Sequence, residues 1–343
     1  MRRLLNTLFV TSEDAYLSLD GENVVVQRSK QEIGRFPLHN LEGILCFSYA
    51  GASPALMGAC AKREISLSFC TPNGKFLART AGITNGNVLL RREQYRVADD
   101  LLRSCRIARH MIWGKLYNCR WSIERTKRDH KLRIDEAKFQ EASAAIYQIM
   151  PQVLAEELLD SVRGLEGTGA SIYFRTFDDM ILRNKNDFFY RGRSRRPPLD
   201  KVNAMLSFAY SLLAKDCAAA LESVGLDAYV GFMHRDRPGR TSLALDLMEE
   251  LRPCFADRFV LTLINNQIIK AEDFETAEND AVNMTDTGRR KFLKSWQERK
   301  QEQITHPYLG EKLPWGLVPY LQALLLARHL RGDLDAYPPL LWK

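Results

Sequence analysis

The chain is predicted to be α+β, with an N-terminal β-rich, sandwich-like domain over residues 1–88 and a larger all-α domain over 89–343. Three observations predict this. Short apolar and β-branched runs separated by turn residues fill the stretch from Leu4 to Arg79. From about Asn87 onward the apolar period lengthens to that of a helix and stays there. A length of 343 residues is enough for two sizeable cores.

In order, strands are expected at 4–10, 15–19, 24–28, 33–37 and 43–47, with Asp20-Gly21 as a hairpin turn. Residues 53–63 read as one helix, capped by Ser53 with Pro54 in its first turn. Strands at 65–70 and 75–79 follow, joined by a Pro72-Asn73-Gly74 turn. The segment 89–128 carries helical periodicity without a proline, Gly114 being its weak point, and this long helix connects the two domains. Further helices are expected at 134–150, 153–162, 172–182, 202–224, 242–268, 286–303 and 317–330.

Composition narrows the function classes. Forty-nine Lys and Arg against 42 Asp and Glu leave a formal charge of +7, which favours an acidic partner, nucleic acid first. No uninterrupted apolar run reaches membrane-spanning length, so no membrane association is expected. The opening MRRLL is followed by Glu13 and Asp14 and continues as an alternating strand, so it reads as mature cytoplasmic sequence and not as a signal peptide. Seven cysteines without a CxxC pair sit in apolar surroundings, which points to reduced core residues and excludes a zinc ribbon or disulfide framework.

The chemistry concentrates in residues 231–253, GFMHRDRPGRTSLALDLMEELRP. Thr241 or Ser242 can cap a helix on which Asp246 and Glu249, three apart, share a face. Glu250, four residues from Asp246, competes with Glu249, and spacing does not choose between them. His234 in the preceding loop can fold back over these acids. An imidazole with two carboxylates suits a divalent cation, whereas the ordinary reading makes the acids partners of the helix dipole. A further ligand comes from VRGLEGTGASIYF, residues 162–174, where Glu166 stands among Gly164, Gly167 and Gly169. It reads as a glycine-rich turn opening a helix with the carboxylate facing a cleft, or as a surface turn whose glutamate caps that helix. Residues 183–200 interleave Arg183, Lys185, Arg191, Arg193, Arg195 and Arg196 with Phe188, Phe189 and Tyr190. Guanidinium forks on phosphate and aromatic stacking on bases make this a DNA-binding segment; the alternative is a solvated basic loop with core aromatics.

Taken in order, RGLEGTGASIYF, RSRRPPLDKVNAMLSFAYSLL, GFMH and SLALDLMEELRPCFADRFVLTLIN resemble CRISPR-associated protein one, the spacer-acquisition integrase. The opening RRLLNTLFVTSEDAYLSLDGENVVV and the closing ARHLRGDLDAYPPLLWK are also similar to that family, most to its type I-C branch, so the match covers nearly the whole chain. The resemblance implies a β domain followed by a helical domain. It implies Glu166, His234 and Glu249 as ligands of Mg²⁺ or Mn²⁺, with Asp246 as their supporting catalytic acid, and so selects Glu249 over Glu250. Imidazole makes manganese the more congenial ion. It further implies insertion of protospacer DNA into a CRISPR array by 3′-hydroxyl attack on repeat-boundary phosphates. The implied partners are double-stranded DNA, a second copy of the chain and CRISPR-associated protein two; the exposed faces of the β domain are the expected self-association surface. Two other readings are a metal-dependent nuclease acting on branched DNA in repair and a non-catalytic DNA-binding scaffold.

Overall fold

Alternating apolar residues build two sheets near the N-terminus of the computed structural model, which describes residues 7–12, 14–41, 43–71, 76–80, 82 and 88–343. The chain divides into two units, Met1–Asn85 with Leu293–Glu302, and Gly86–Phe292 with Gln303–Lys343. In the first unit, β1 (Thr7–Val10), β5 (Gly43–Cys46) and β6 (Ser66–Cys70) run parallel, and β7 (Phe76–Arg79) adds antiparallel to β6. β2 (Ala15–Asp20), β3 (Asn23–Arg28) and β4 (Gln31–Pro37) form an antiparallel meander. β5, paired on both sides by parallel neighbours, is buried along its whole length, while β4 at the edge of its sheet is largely exposed.

The layers meet in one apolar cluster. Leu17 and Val24 from the meander join Val10, Ile44 and Leu67 from the other sheet, together with Leu56 and Cys60 of α1 (Pro54–Lys62). α1 starts as expected, with Ser53 Oγ accepting from Leu56 N at 3.2 Å and Pro54 in the first turn. Gly21 takes φ +56° in the two-residue turn between β2 and β3, a conformation its missing Cβ allows. The Pro72-Asn73-Gly74 turn, Lys75, Glu13 and the start of the 4–10 strand lie outside the described residues.

The second unit is helical, and several boundaries differ from expectation. The run 89–128 is two helices, α2 (Val88–Asp99) and α3 (Leu101–His130). Asp100 leaves the helical conformation and caps α3, Oδ1 accepting from Leu102 N and Arg103 N, both at 3.0 Å. α4 (Glu136–Ala155) runs through Pro151 where a break was expected, because Ile149, Met150 and Val153 are buried on both sides of it. α5 (Leu159–Phe177) contains the whole glycine-rich stretch around Glu166, so the expected turn there is a helix.

α6 (Lys201–Ser223) has the length and apolarity of a membrane span, but most of that window is packed inside the molecule as a core helix. The expected single helix at 242–268 is broken into α7 (Ser242–Met248), a π-helical turn (Arg252–Asp257) and α8 (Arg258–Asn265). Two small ribbons, β8 (Phe274–Thr276) with β9 (Val282–Met284) and β10 (Gln303–Thr305) with β11 (Lys312–Pro314), modify the all-α expectation. Each strand is three residues long, too short for alternation to register in the sequence. α9 (Asp286–Gln301) and α10 (Val318–Leu330) complete the chain, α9 passing from the second unit to the first at Leu293.

Candidate active site and nucleic-acid interface

The site begins where α5 lies against α3. A Cβ on Gly169 would stand 2.3 Å from Leu116 Cδ2, and Leu116 is fully buried, so glycine is what lets the two helices approach this closely. Glu166, one turn before Gly169, thereby meets Lys115, the neighbour of Leu116, and Lys115 Nζ donates to Glu166 Oε1. Lys115 also donates to Glu249 Oε2 at 2.6 Å, so two carboxylates distant in sequence share one buried ammonium. Burial acts to lower the Lys115 pKa, but the charges of Glu249 and Glu166 override it and hold the ammonium above its ordinary value.

Glu249 follows α7 at the turn before the π-helical segment. Its other oxygen, Oε1, takes Arg252 at 3.1 Å. Burial acts to raise this carboxyl, yet Arg252, Lys115 and His234 together hold it down at about 2. Glu250 points the opposite way. Its Oε1 accepts from Tyr337 OH at 2.6 Å and Gln322 Nε2 at 2.7 Å, and its Oε2 from Leu340 N at 2.9 Å. Burial, only partly offset by these bonds, pushes Glu250 up to about 7. Asn118 extends the clasp by donating to Glu250 O and Leu340 O and accepting from Trp342 N. The C-terminal segment is thus strapped to the back of the turn that presents Glu249.

Asp246 serves neither acid. It is fully buried, and its Oδ2 accepts from Phe232 N at 2.6 Å and Met233 N at 2.9 Å. Its Oδ1 accepts from His234 N at 2.9 Å and faces His234 Nδ1 at 2.6 Å. Asp246 and Glu249 therefore do not share a partner: Asp246 shapes the histidine loop and holds the imidazole through Nδ1. Gly231 is required beneath it, since a Cβ there would lie 2.8 Å from Asp246 Oδ2. From α5, Arg163 reaches the same loop and donates to Met233 O, Nε at 3.0 Å, so the helix that carries Glu166 also grips the segment that carries His234. Thr241 occupies the cap position of α7 without a side-chain bond, and Ser242 Oγ donates instead to Arg235 O. Asp246→Asn would turn an NH₂ group toward a backbone donor. This variant is therefore expected to lose about 1–3 kcal/mol of stability, read as a lowered melting temperature.

The basic segment separates into two parts. Phe188 packs on Phe274, and Tyr190 on Phe174 and Phe177, so both are core rings. Phe189 is exposed, with the Arg191 guanidinium 4.8 Å from its ring centre. Arg183, Lys185, Arg191, Arg195 and Arg196 are exposed. Arg193 is not: it donates to Ser194 O and Asn203 Oδ1, each at 2.7 Å, and to Ser207 Oγ at 3.1 Å. This corrects its expected place among the DNA-facing side chains, because its fork is used in holding the loop to α6. The Tyr210 ring carries the Arg193 guanidinium at 5.4 Å and that of Arg252 at 4.9 Å, so a cationic chain runs from the loop to Glu249.

Among the described residues no three His, Cys, Asp or Glu side chains are placed to hold a metal ion as they stand, and the cation between Glu166 and Glu249 is the Lys115 ammonium. The donor chemistry suits Mg²⁺ or Mn²⁺: two carboxylates already gathered around one positive charge, and an imidazole held through its Nδ1. Sequence reasoning missed Lys115, Arg163 and Arg252. Lys115 had a legible signal, since a lysine placed four after Met111 and four before Cys119 falls on the apolar face of α3.

The family model described as CRISPR associated protein Cas1 matches residues 8–298. The chain is 49% identical over 350 residues to CRISPR-associated endonuclease Cas1 2 of Rhodospirillum rubrum, covering 100% of both chains. It is 45% identical over 343 residues to CRISPR-associated endonuclease Cas1 1 of Chlorobaculum tepidum, again over 100% of both. Among solved structures, a casposase bound to integration product superposes with a TM-score of 0.82 at 23% identity, covering 100% of this chain and 95% of that one, which is a likeness of fold. With a family model matching most of the chain and full-length relatives at this identity, the chain belongs to the Cas1 family of CRISPR-associated endonucleases.

Proposed function

We propose that this protein is the strand-joining enzyme of CRISPR adaptation, using Mg²⁺ or Mn²⁺ held by Glu166, His234 and Glu249. The observation that carries the reading is the meeting of Glu166 and Glu249, from separate elements, on one buried cation beside a histidine whose Nδ1 is fixed. A bound divalent ion supplies charge neutralisation at the phosphate and favours the deprotonated nucleophile. In the exchange, the 3′-oxygen of a DNA fragment forms a bond to phosphorus at the repeat boundary, and the 3′-oxygen of the flanking strand leaves. The proton of the attacking hydroxyl passes to solvent and one returns to the leaving oxygen. The chain's own part is positional: α5 holds Glu166 and, through Arg163, the loop; Asp246 orients His234; Arg252 keeps Glu249 ionised.

Arg183, Lys185, Arg191, Arg195 and Arg196 position duplex DNA by phosphate contacts. Replacing Arg195 and Arg196 by alanine is expected to lower affinity and flatten the logarithmic salt dependence by about 2, as read by titration at several salt concentrations. Arg193→Ala is expected instead to loosen the loop, at about 1.5–3 kcal/mol of stability. The family resemblance adds a homodimer and CRISPR-associated protein two as partners. All seven cysteines are buried thiols, which suits the reducing cytoplasm.

The test is an integration assay with a labelled fragment, a repeat-bearing plasmid and purified partner protein. Covalent transfer of label that requires Mn²⁺ or Mg²⁺ is the expected result. Cutting of branched DNA without any joining would establish the repair-nuclease reading instead, and binding without either reaction would leave a scaffold.

A further inference from the structure

The buried cation of the site is part of the chain. Lys115 Nζ bonds Glu166 Oε1 and Glu249 Oε2 at once, and its side chain is 7% exposed. Glu249 has a second cationic partner in Arg252, at 3.1 Å on its other oxygen. Lys115 is therefore the joint between the two acids. Without it, two carboxylates would face each other, Glu166 without its ion-pair partner and the buried Glu249 with Arg252 alone. An ion seated by both acids must take the place that the ammonium holds, because one pair of oxygens cannot close around two cations.

We propose that Lys115 is a built-in counter-cation that keeps Glu166 and Glu249 together in the metal-free protein and competes with the divalent ion for them, setting the metal concentration at which the enzyme works. This rests on the metal-site reading above. Two consequences separate it from a merely structural lysine. Removing the ammonium strengthens metal binding, because no resident charge has to leave. In the wild-type protein, metal binding drives the Lys115 ammonium out of its carboxylates and toward solvent.

The experiment uses the full chain and Mn²⁺ alone. Lys115→Met keeps the length and apolar stem of the side chain and removes its charge. Free Mn²⁺ measured by electron paramagnetic resonance is expected to show at least about tenfold tighter binding to Lys115→Met than to wild type. The metal-free variant is expected to melt below wild type and to gain more from saturating Mn²⁺ than wild type does. Equal or weaker Mn²⁺ affinity in the variant would overturn the proposal. Should the variant not fold, the wild-type protein answers directly: reductive methylation followed by mass spectrometry is expected to modify Lys115 several-fold more with Mn²⁺ than without it, and unchanged or lower modification overturns the inference. Failure of the underlying reading looks different, since then wild type binds no Mn²⁺, or Glu249→Gln binds it as well as wild type.

Discussion

Glu249→Ala is expected to lower strand joining by at least about a thousandfold while leaving DNA binding within a few-fold of wild type. The carboxylate is held ionised at a pKa of about 2 against its own burial by Arg252, Lys115 and His234, and it is one of the two acids gathered on Lys115. Its loss leaves the Lys115 ammonium on Glu166 alone and the Arg252 guanidinium without its carboxylate. Breaking such a buried pair costs about 3–5 kcal/mol, so the variant is expected to melt well below wild type as well. Glu249→Gln separates the two effects. The amide still accepts one hydrogen bond and keeps the volume, so it is expected to recover much of the stability but little of the joining. Rates of label transfer and melting curves measured on the same preparations check this. Wild-type joining by either variant would remove Glu249 from the site.

Glu250→Leu is expected to destabilise the protein by about 2–6 kcal/mol, since the Tyr337 hydroxyl and the Leu340 N–H would be left buried without an acceptor, while the Gln322 amide keeps Tyr337 OH and Pro338 O. The strap formed by the C-terminal residues is expected to loosen with it. Trp342 stacks near the guanidinium groups of Arg125 and Arg258 and bonds Asn118, so its fluorescence and the amide exchange of Leu340 and Trp342 report the release. The pH dependence follows from the same carboxyl. Its folded pKa of about 7 lies above the ordinary glutamate value of 4.5, so the folded protein holds more protons between these values. The stability this group contributes is present below about pH 4.5 and declines as pH rises through 7, by roughly 3 kcal/mol in all. Asp257, raised to about 6 by burial against the Tyr210 hydroxyl bond, slopes the same way at lower pH. Glu249 slopes oppositely, its contribution being lost as pH falls from 4.5 toward 2. Glu250→Gln is expected to flatten the decline between pH 5 and 7 in denaturant titrations, and an unchanged slope would assign that decline elsewhere.

Much of the β unit was legible because each of its signals is local. The Asp20-Gly21 turn, the Ser53 cap and the alternation of β2 and β3 depend on neighbours within a few residues. The helical unit was misread where a distant contact decides. Three glycines within six residues around Glu166 look like a turn until α3 is known to lie against Gly169. Asp100 inside a periodic run looks helical until its carboxylate is seen capping α3. Aromatics beside arginines at 188–190 look like a stacking platform, yet two of the three rings pack inside on Phe274, Phe174 and Phe177.

By itself the sequence determined the fold class and the family, because those are properties of residue type and order. Only the tertiary structure decided what each charged side chain touches. It turned Asp246 onto the histidine loop, Glu250 onto the C-terminal strap and Arg193 onto α6, and it set Lys115 between Glu166 and Glu249. The physical reason is that a buried charge is defined by the partner that offsets its desolvation, and here that partner comes from another element of the chain.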